Sequence, residues 1–362
     1  MAGYGLPGYL DQIAEGRPSG QVTDMSGETH PIAALLTGVA RRHFAGATGI
    51  DSLKRLSGGA SQEIWSFDVV TRSGPVPLIL RRAPGGRRDT GRSGTAIPLE
   101  TEARLIDLAK EAGVPVPSVR HVMTEEDGIG PGFIMDRIPG ETLARKILRD
   151  EEFAGARPKL ARQCGEVLAR LHNVDKSKLP PLRVATGRDE VEQYFTTYKQ
   201  FDYPHPVFEL AFRWLRDNAP PDTAGLTLVH GDFRNGNLMI GPDGLRAVLD
   251  WEIAHVGDPM ADLSWICINP WRFGNIDMPV GGFGTREDLF AGYEAGGGGK
   301  VDAARIKFWE VLGTLKWGIM CMGMAAAFLQ GDRSVERATI GRRSSETEVD
   351  LMRLLAPLTG KE

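Results

Sequence analysis

Residues 228–252, LVHGDFRNGNLMIGPDGLRAVLDWE, decide how the rest of the chain is read. An apolar stub (Thr227, Leu228, Val229) leads into a polar loop, and the loop into two apolar arms, Leu238–Met239–Ile240 and Leu245 to Leu249. Gly241, Pro242, Asp243 and Gly244 between the arms favour tight turns, so the arms are expected to pair as an antiparallel hairpin. Such pairing brings Asn237, just before the first arm, and Asp250, just after the second, to the same open end. Asp232 lies five residues before Asn237 and is expected to project into the same cleft. An amide oxygen beside a carboxylate makes a hard-oxygen site suited to Mg²⁺ that still holds substrate phosphates. A second carboxylate nearby can accept a proton from a hydroxyl nucleophile.

His230–Gly231–Asp232 followed by Asn237 resembles the catalytic loop of protein kinases, H-R-D-x-x-x-x-N, with Asp250–Trp251–Glu252 in the place of their D-F-G magnesium motif. Glycine after the histidine, the run HGDFRNGN, and the continuation Gly257–Asp258–Pro259 with Asp262–Leu263 are closer to the aminoglycoside phosphotransferase and choline kinase group. The combined pattern is specific, whereas each piece alone is weak. The resemblance covers residues 50 to 330 or so. It implies a bilobal α+β kinase-like fold, in which a small antiparallel sheet with one helix packs on a larger, mainly helical lobe with the nucleotide between them. It also implies roles. Asn237 and Asp250 would hold Mg²⁺, Asp232 would orient the acceptor hydroxyl and take its proton, and His230 would brace the loop.

The bulk numbers agree with a protein of that kind. A chain of 362 residues can bury a sizeable core in two lobes. With 25% charged residues, a formal net charge of −4 and no block of like charge, a nucleic-acid partner is not expected. The first residues show no basic region followed by an apolar core, so no secretory signal is expected. The apolar run from Trp317 to Leu329 reads as too short to span a bilayer. Cys164, Cys267 and Cys321 lack metal-ligand spacing and are expected to be reduced core thiols. A cytoplasmic protein without a membrane partner is the expectation.

Taken in order, residues 1–30 are rich in Gly, Pro and polar residues, and a helix is expected from Pro31 to Phe44. Strands near residues 53–56 and 64–70 flank Ser57–Gly58–Gly59–Ala60–Ser61–Gln62. A glycine-rich turn between strands either closes an ordinary hairpin or lets backbone N–H groups approach a phosphate. The resemblance favours the second, with Gly58, Gly59, Ala60 and Ser61 on the nucleotide. Leu78 to Arg82 reads as a strand whose alternation puts Ile79 and Arg81 on one face. By resemblance Ile79 lines the base, and Arg81 sits where kinases carry a phosphate-binding lysine. Arginine is a departure there, although its fork can hold phosphate oxygens bidentately. Arg82 is the alternative. Residues 84–98 read as a solvated loop whose Arg87, Arg88 and Arg92 are within the reach of an anion.

A helix follows from Leu99 to Ala112. Its Glu102, with Glu100 as the fallback, matches the helix glutamate that pairs with the phosphate-binding base in kinases. After strands near residues 119–123 and 132–136, Met135–Asp136–Arg137–Ile138 takes the place of the inter-lobe hinge. There the extended backbone of Met135, Asp136 and Ile138 would read an adenine edge. Pro139–Gly140 marks the lobe boundary, giving an N-terminal extension with its helix over 1–48, an N-lobe over 49–138 and a C-lobe over 139–362.

Helices are expected beyond the boundary at 160–172, 189–202, 206–217 and, after Gly257–Asp258–Pro259, around Asp262. A half-buried Asp262 reads as an anchor for backbone N–H groups, because a buried carboxylate without such partners is costly. A long helix from Val301 to Leu329 is apolar on most sides, so it is covered or meets a partner chain, as in a homodimer. A locally basic tail from Arg333 to Arg343 and a short helix over 348–355 end the chain.

The reaction implied is transfer of the γ-phosphate of ATP or GTP, with Mg²⁺, to a hydroxyl of a small molecule. Family acceptors range from aminoglycosides and choline to hydroxyacyl-CoA thioesters. Arg333, Arg337, Arg342 and Arg343 suit an anionic acceptor better than a polycationic one, and the long methionine-bearing helix resembles the branch associated with acyl-CoA metabolism. Two other readings compete. A nucleotide-binding pseudokinase rests on the arginine at position 81 alone, and a metal-dependent phosphohydrolase would need further clustered His and Asp ligands.

Overall fold

The computed structural model describes residues 31–56, 62–86, 95–222, 225–331 and 334–356. The glycine-rich turn at 57–61, and with it Gly58, Gly59, Ala60 and Ser61, lies outside the described residues, as do Arg87, Arg88, Arg92 and Arg333. By compactness the chain divides into one unit of Met1–Thr90 with Val119–Arg137, and another of Gly91–Ser118 with Ile138–Glu362. The helix at Leu99–Glu111 is therefore grouped with the second unit, whereas the sequence reading put it with the sheet.

The first unit holds helix α1 (Ile32–His43) and strands β1 (Ala47–Leu56), β2 (Glu63–Thr71), β3 (Gly74–Arg82), β4 (Val119–Val122) and β5 (Gly132–Asp136). They form one antiparallel sheet in the order β1-β2-β3-β5-β4. Alternation along β2 sends Trp65, Phe67 and Val69 to one face, where Leu78 and Leu80 of β3 and Ile134 of β5 join them. Ile32, Leu36, Val39 and Ala40 of α1 recur at helical spacing and complete that core. The first helix is thus part of the sheet unit. Ile79 and Arg81 alternate to the opposite face.

A polar knot fastens α1 to the sheet. Asp127 is buried and receives Arg42 at 2.8 Å, the Thr124 N–H at 3.0 Å and His121 at 2.7 Å, with His43 at 3.3 Å. Burial pushes its carboxyl pKa up, but these donors outweigh burial and leave it well below the usual carboxylate range. His43, His121 and Asp127 also lie close enough together to be potential metal ligands. With the carboxylate committed to Arg42 and the two imidazoles stacked at 3.7 Å, they read as an ion-pair network.

The second unit contains α2 (Leu99–Glu111), α3 (Ala144–Arg149), α4 (Arg157–His172), α5 (Gly187–Tyr198), α6 (Pro206–Asp217), strands β6 (Thr227–Val229), β7 (Leu238–Gly241), β8 (Gly244–Val248) and β9 (His255–Gly257), then α7 (Met260–Trp265), α8 (Arg286–Ala295), α9 (Ala303–Leu329), α10 (Val335–Gly341) and α11 (Ser344–Leu355). Helices α4 and α8 cross so closely that a Cβ on Gly165 would stand 2.0 Å from the Leu289 carbonyl oxygen, and one on Gly292 2.2 Å from that of Arg162. Backbone on both sides leaves no side chain to yield. Gly165→Ala should therefore destabilise the protein by at least the roughly 1–3 kcal/mol typical of overpacking. A urea titration showing an unchanged midpoint would refute this.

Helix α9 is the long apolar helix expected from the sequence, and it is buried on most sides. Phe308, Val311, Leu312, Leu315, Ile319, Cys321 and Met322 are all in the core. The apolar stretch runs further than Trp317–Leu329, so the expectation about length is corrected. By length and composition alone α9 could cross a membrane, while 56% of its most apolar window is buried inside the protein. All three cysteines are unpaired and buried. Short helices α3, α8 and α10 went unread in the sequence, α10 because the locally basic segment around it resembles a tail.

Candidate active site

Strand β6 pairs with β9, and β7 with β8 in the register Leu238↔Val248, Met239↔Ala247 and Ile240↔Leu245. The Leu249 N–H donates to the Asn237 carbonyl at 2.8 Å, extending the ladder by one step. Asn237 thus lies across from Leu249, next to Asp250, as the turn chemistry required. Asp250 has φ +65°, in the left-handed region where a non-glycine residue costs roughly 1–2 kcal/mol. That strain turns the chain away from β8 immediately after the ladder. Trp251, the next residue, is buried, and its N–H donates to the Glu102 carboxylate at 3.4 Å.

The loop between β6 and β7 is held by buried polar groups. Asp262 on α7 accepts the His230 N–H at 2.7 Å, the Gly231 N–H at 2.9 Å and the His172 ring at 3.2 Å. Gly231 has φ +81°, and a Cβ there would stand 2.9 Å from the Ile253 carbonyl. That conformation accounts for glycine after the histidine. The His230 ring is fully buried, and its Nδ1 accepts the Asp232 N–H at 3.2 Å. The remaining hydrogen is then on Nε2, which donates to the Leu249 carbonyl at 3.0 Å. Burial lowers the imidazole pKa against the pull of Asp262, Asp232 and Asp250. With both nitrogens occupied, the neutral ring joins the loop to the hairpin.

Asp232 is the most heavily oriented side chain of the loop. Its Oδ1 accepts Trp265 Nε1–H at 2.7 Å and Arg234 Nε–H at 2.9 Å, and its Oδ2 accepts Asn237 Nδ2–H at 2.7 Å. A carboxylate offers about four lone-pair directions, so one is left for an incoming hydroxyl. Asn237 Nδ2 also donates to the Asp232 carbonyl at 2.9 Å, which fixes the amide with its oxygen turned away from Asp232. Amide oxygen and Asp250 carboxylate are hard donors of the kind Mg²⁺ takes, so the residues fit the ion the motif implies.

Trp265 and Arg234 were not singled out in the sequence, although Arg234 stands inside HGDFRNGN. Trp265 on α7 carries no local sign of its bond to a residue so far upstream. Trp265→Phe keeps a ring but removes a donor to a charged acceptor, worth about 1.5–3 kcal/mol. If Asp232 is the reacting group, kcat should fall on the order of ten- to a hundred-fold with little change in Tm. Steady-state kinetics beside a thermal melt checks this.

In the sheet unit, Arg81 on β3 is buried and its Nε donates to Gln62 Oε1. Arg82 is held by Glu63 at 2.7 Å and by the Ile129 carbonyl at 3.4 Å, which commits it elsewhere. Ile79 pairs with Met135 in the β3–β5 ladder. The Asp136 carboxylate is taken by Arg120 at 2.6 and 3.0 Å, and the Arg137 N–H by the Pro77 carbonyl at 3.1 Å. Ile138 begins the next stretch of the second unit. Of the arginines expected beside the acceptor, Arg343 lies over the Trp317 ring at 5.6 Å.

An antiparallel sheet unit and a helical unit that carries His-Gly-Asp, Asn and a following Asp on a loop and hairpin define a kinase-like phosphotransferase. The solved structures agree on the fold. An aminoglycoside phosphotransferase-like protein from Ralstonia eutropha superposes with a TM-score of 0.69 at 21% identity, covering 89% of this chain and 97% of its own. A choline/ethanolamine kinase family protein from Mesorhizobium loti gives 0.59 at 18% identity, covering 90% and 96%. An aminoglycoside phosphotransferase in ternary complex with AMP-PNP and hygromycin B gives 0.59 at 16%, covering 91% and 100%.

The chain belongs to the phosphotransferase enzyme family, whose family model matches residues 52–298. Among curated proteins it is similar to acyl-CoA dehydrogenase family member 10 of Mus musculus, 30% identical over 61% of this chain. It is also similar to acyl-CoA dehydrogenase family member 11 of Gallus gallus, 26% identical over 86% of this chain. The matches span only 21% and 40% of those two proteins' own lengths.

Proposed function

We propose that this protein transfers the γ-phosphoryl group of ATP or GTP to a hydroxyl group of a small molecule. The observation that carries the reading is the Asp232 carboxylate, aimed by three side-chain donors and standing beside Asn237 at the mouth of the β7–β8 hairpin. Phosphoryl transfer needs positioning and charge neutralisation more than covalent help from the protein. Asp232 accepts the acceptor O–H and takes its proton as the new O–P bond forms and the bond from the γ-phosphorus to the bridging oxygen breaks, leaving ADP or GDP. Asn237 and Asp250 would hold Mg²⁺, which supplies neutralisation of the nucleotide phosphates. By the resemblance, Arg81 and the backbone of residues 58–61 would serve the phosphate oxygens, Glu102 would take the helix-glutamate role, and the backbone of Met135, Asp136 and Ile138 would serve the base. His230 keeps the loop in register.

For the acceptor we propose a hydroxyacyl-CoA rather than an aminoglycoside-like compound, since the curated relatives carry names from acyl-CoA metabolism. A pseudokinase is disfavoured because Asp232, Asn237 and Asp250 are all present. The test is mass-spectrometric detection of phosphate transfer from Mg²⁺-ATP and Mg²⁺-GTP to a panel of aminoglycosides, simple alcohols and hydroxyacyl-CoAs. Phosphorylated product with the wild type and on the order of a hundredfold less or lower with Asp232→Asn is the expected result. Binding of neither nucleotide in the presence of Mg²⁺ would overturn the reading.

A further inference from the structure

Helix α9 carries two charges between Phe308 and Leu329, Glu310 and Lys316. Glu310 is neutralised by Arg286 at 2.5 Å and Arg272 at 3.4 Å. Lys316 is placed differently. The residue is half-buried, and its ammonium lies 5.1 Å from the centre of the Trp265 ring and 5.3 Å from that of Tyr194, whose hydroxyl it also meets. Among the described residues no carboxylate closes an ion pair with it. Burial disfavours the charge, but Tyr194, Glu190 and Asp232 outweigh burial and keep the amine protonated.

The position matters more than the charge. Trp265 is the residue whose indole N–H holds Asp232, so Lys316 lies over the ring that orients the candidate base. Arg234, the other donor to Asp232 Oδ1, packs over Trp271, which meets Trp265 edge to face at 5.5 Å. The candidate carboxylate therefore stands beside a wall of two indoles, one carrying Lys316 and the other Arg234, which is itself paired with Asp232. A polycationic acceptor would be repelled there, while an anionic group would complete the coordination of a lysine that has ring faces and a hydroxyl around it.

We propose that Lys316 is a specificity-determining residue that binds an anionic group, carboxylate or phosphate, on the acceptor molecule and so presents its hydroxyl to Asp232. The proposal rests on the phosphotransfer reading for the hydroxyl but not for the anion. Its experiment separates the two.

Matched pairs of short 2-, 3-, 4- and 5-hydroxycarboxylates and their neutral carboxamides, their phosphorylated counterparts, and kanamycin are assayed as acceptors with Mg²⁺-ATP. They are also titrated by tryptophan fluorescence without nucleotide. The wild type should prefer at least one acid over its amide by about tenfold or more. Lys316→Met should lower kcat/KM for that acid about ten- to a hundred-fold through KM, the range for losing a hydrogen bond to a charged group. The amide value should fall much less, so that the acid-to-amide ratio collapses, and the directly measured affinity for Mg²⁺-ATP should not move. Lys316→Arg should restore much of the preference, and Lys316→Gln, which can still meet the Tyr194 hydroxyl, serves if the methionine variant does not fold.

An acid-to-amide ratio unchanged in folded Lys316 variants would overturn the proposal and leave the lysine a packing element between α9 and α5. Preference for amides or kanamycin in the wild type would overturn it as well. Lys316-dependent binding of an acid without phosphate transfer would support the anion site while overturning the phosphotransfer reading. Greater preference for the phosphorylated than the carboxylate series would name phosphate as the anion. No binding of any anionic compound would overturn the proposal whatever the nucleotide result.

Discussion

Asp232→Asn should reduce kcat on the order of a hundred- to ten-thousand-fold, the usual span for losing a positioned general base. The substitution is close in volume, so its effect is electronic and directional. An amide has one acceptor oxygen and cannot take the acceptor proton. Trp265 and Arg234 both donate to Oδ1, whereas Asn237 donates to Oδ2. If the asparagine oxygen stays with Trp265 and Arg234, its NH₂ confronts the NH₂ of Asn237. If it turns, two donors on the other side lose their acceptor. Either arrangement also disturbs Asn237, a candidate magnesium ligand, so the KM for nucleotide does not serve as a control on its own. Nucleotide affinity measured directly, for example by calorimetry with Mg²⁺-ATP, should weaken far less than kcat falls. A variant retaining more than a tenth of wild-type kcat on the preferred acceptor would exclude Asp232 as the base.

Asp262→Asn should produce a large loss of stability. The carboxylate is buried and serves the His230 N–H on one oxygen and the Gly231 N–H on the other, with the His172 ring as a third donor. An amide satisfies one side only, and an orphaned buried donor costs about 1–3 kcal/mol. With one or two donors orphaned the total is about 2–5 kcal/mol, which for a unit of this size lowers Tm on the order of 5–15 °C. The effect depends on pH in a defined direction. Burial raises the Asp262 pKa, but His172, His230 and the backbone N–H donor outweigh it, so the folded value is below the ordinary one. A depressed carboxyl contributes stability that is fully present above the unfolded value near ~3.9 and is lost as pH falls through the folded value. The Tm gap between wild type and variant should accordingly be widest near neutrality and shrink in acid. A gap that stays constant from pH 7 to below pH 3 would contradict this account.

Much of the fold was legible because its signals are local. Period-two alternation in residues 63–71 and the 3.6-residue recurrence of Ile32, Leu36 and Val39 each need only neighbours in the chain. The hairpin followed from the turn residues 241–244, and with it the approach of Asn237 to Asp250. Elements without such marks were lost. Helix α8 is short and weakly amphipathic, and α10 sits in a basic segment, so neither stood out from a loop.

By itself the sequence determined the sheet strands and the longer helices, the glycine at position 231 and the chemical inventory of the loop. Tertiary structure decided which distant groups face that inventory. Trp265 reaches Asp232 because α7 is turned toward the loop by the grip of Asp262 on His230 and Gly231. Lys316 lies over Trp265 because α9 packs beside α7 with that one turn facing it. Hydrophobic spacing states that a helix has a buried side, but the residue that meets a given neighbour depends on the rotation and depth at which two helices pack. That phase is set by the summed fit of many side chains and has no local sequence signature.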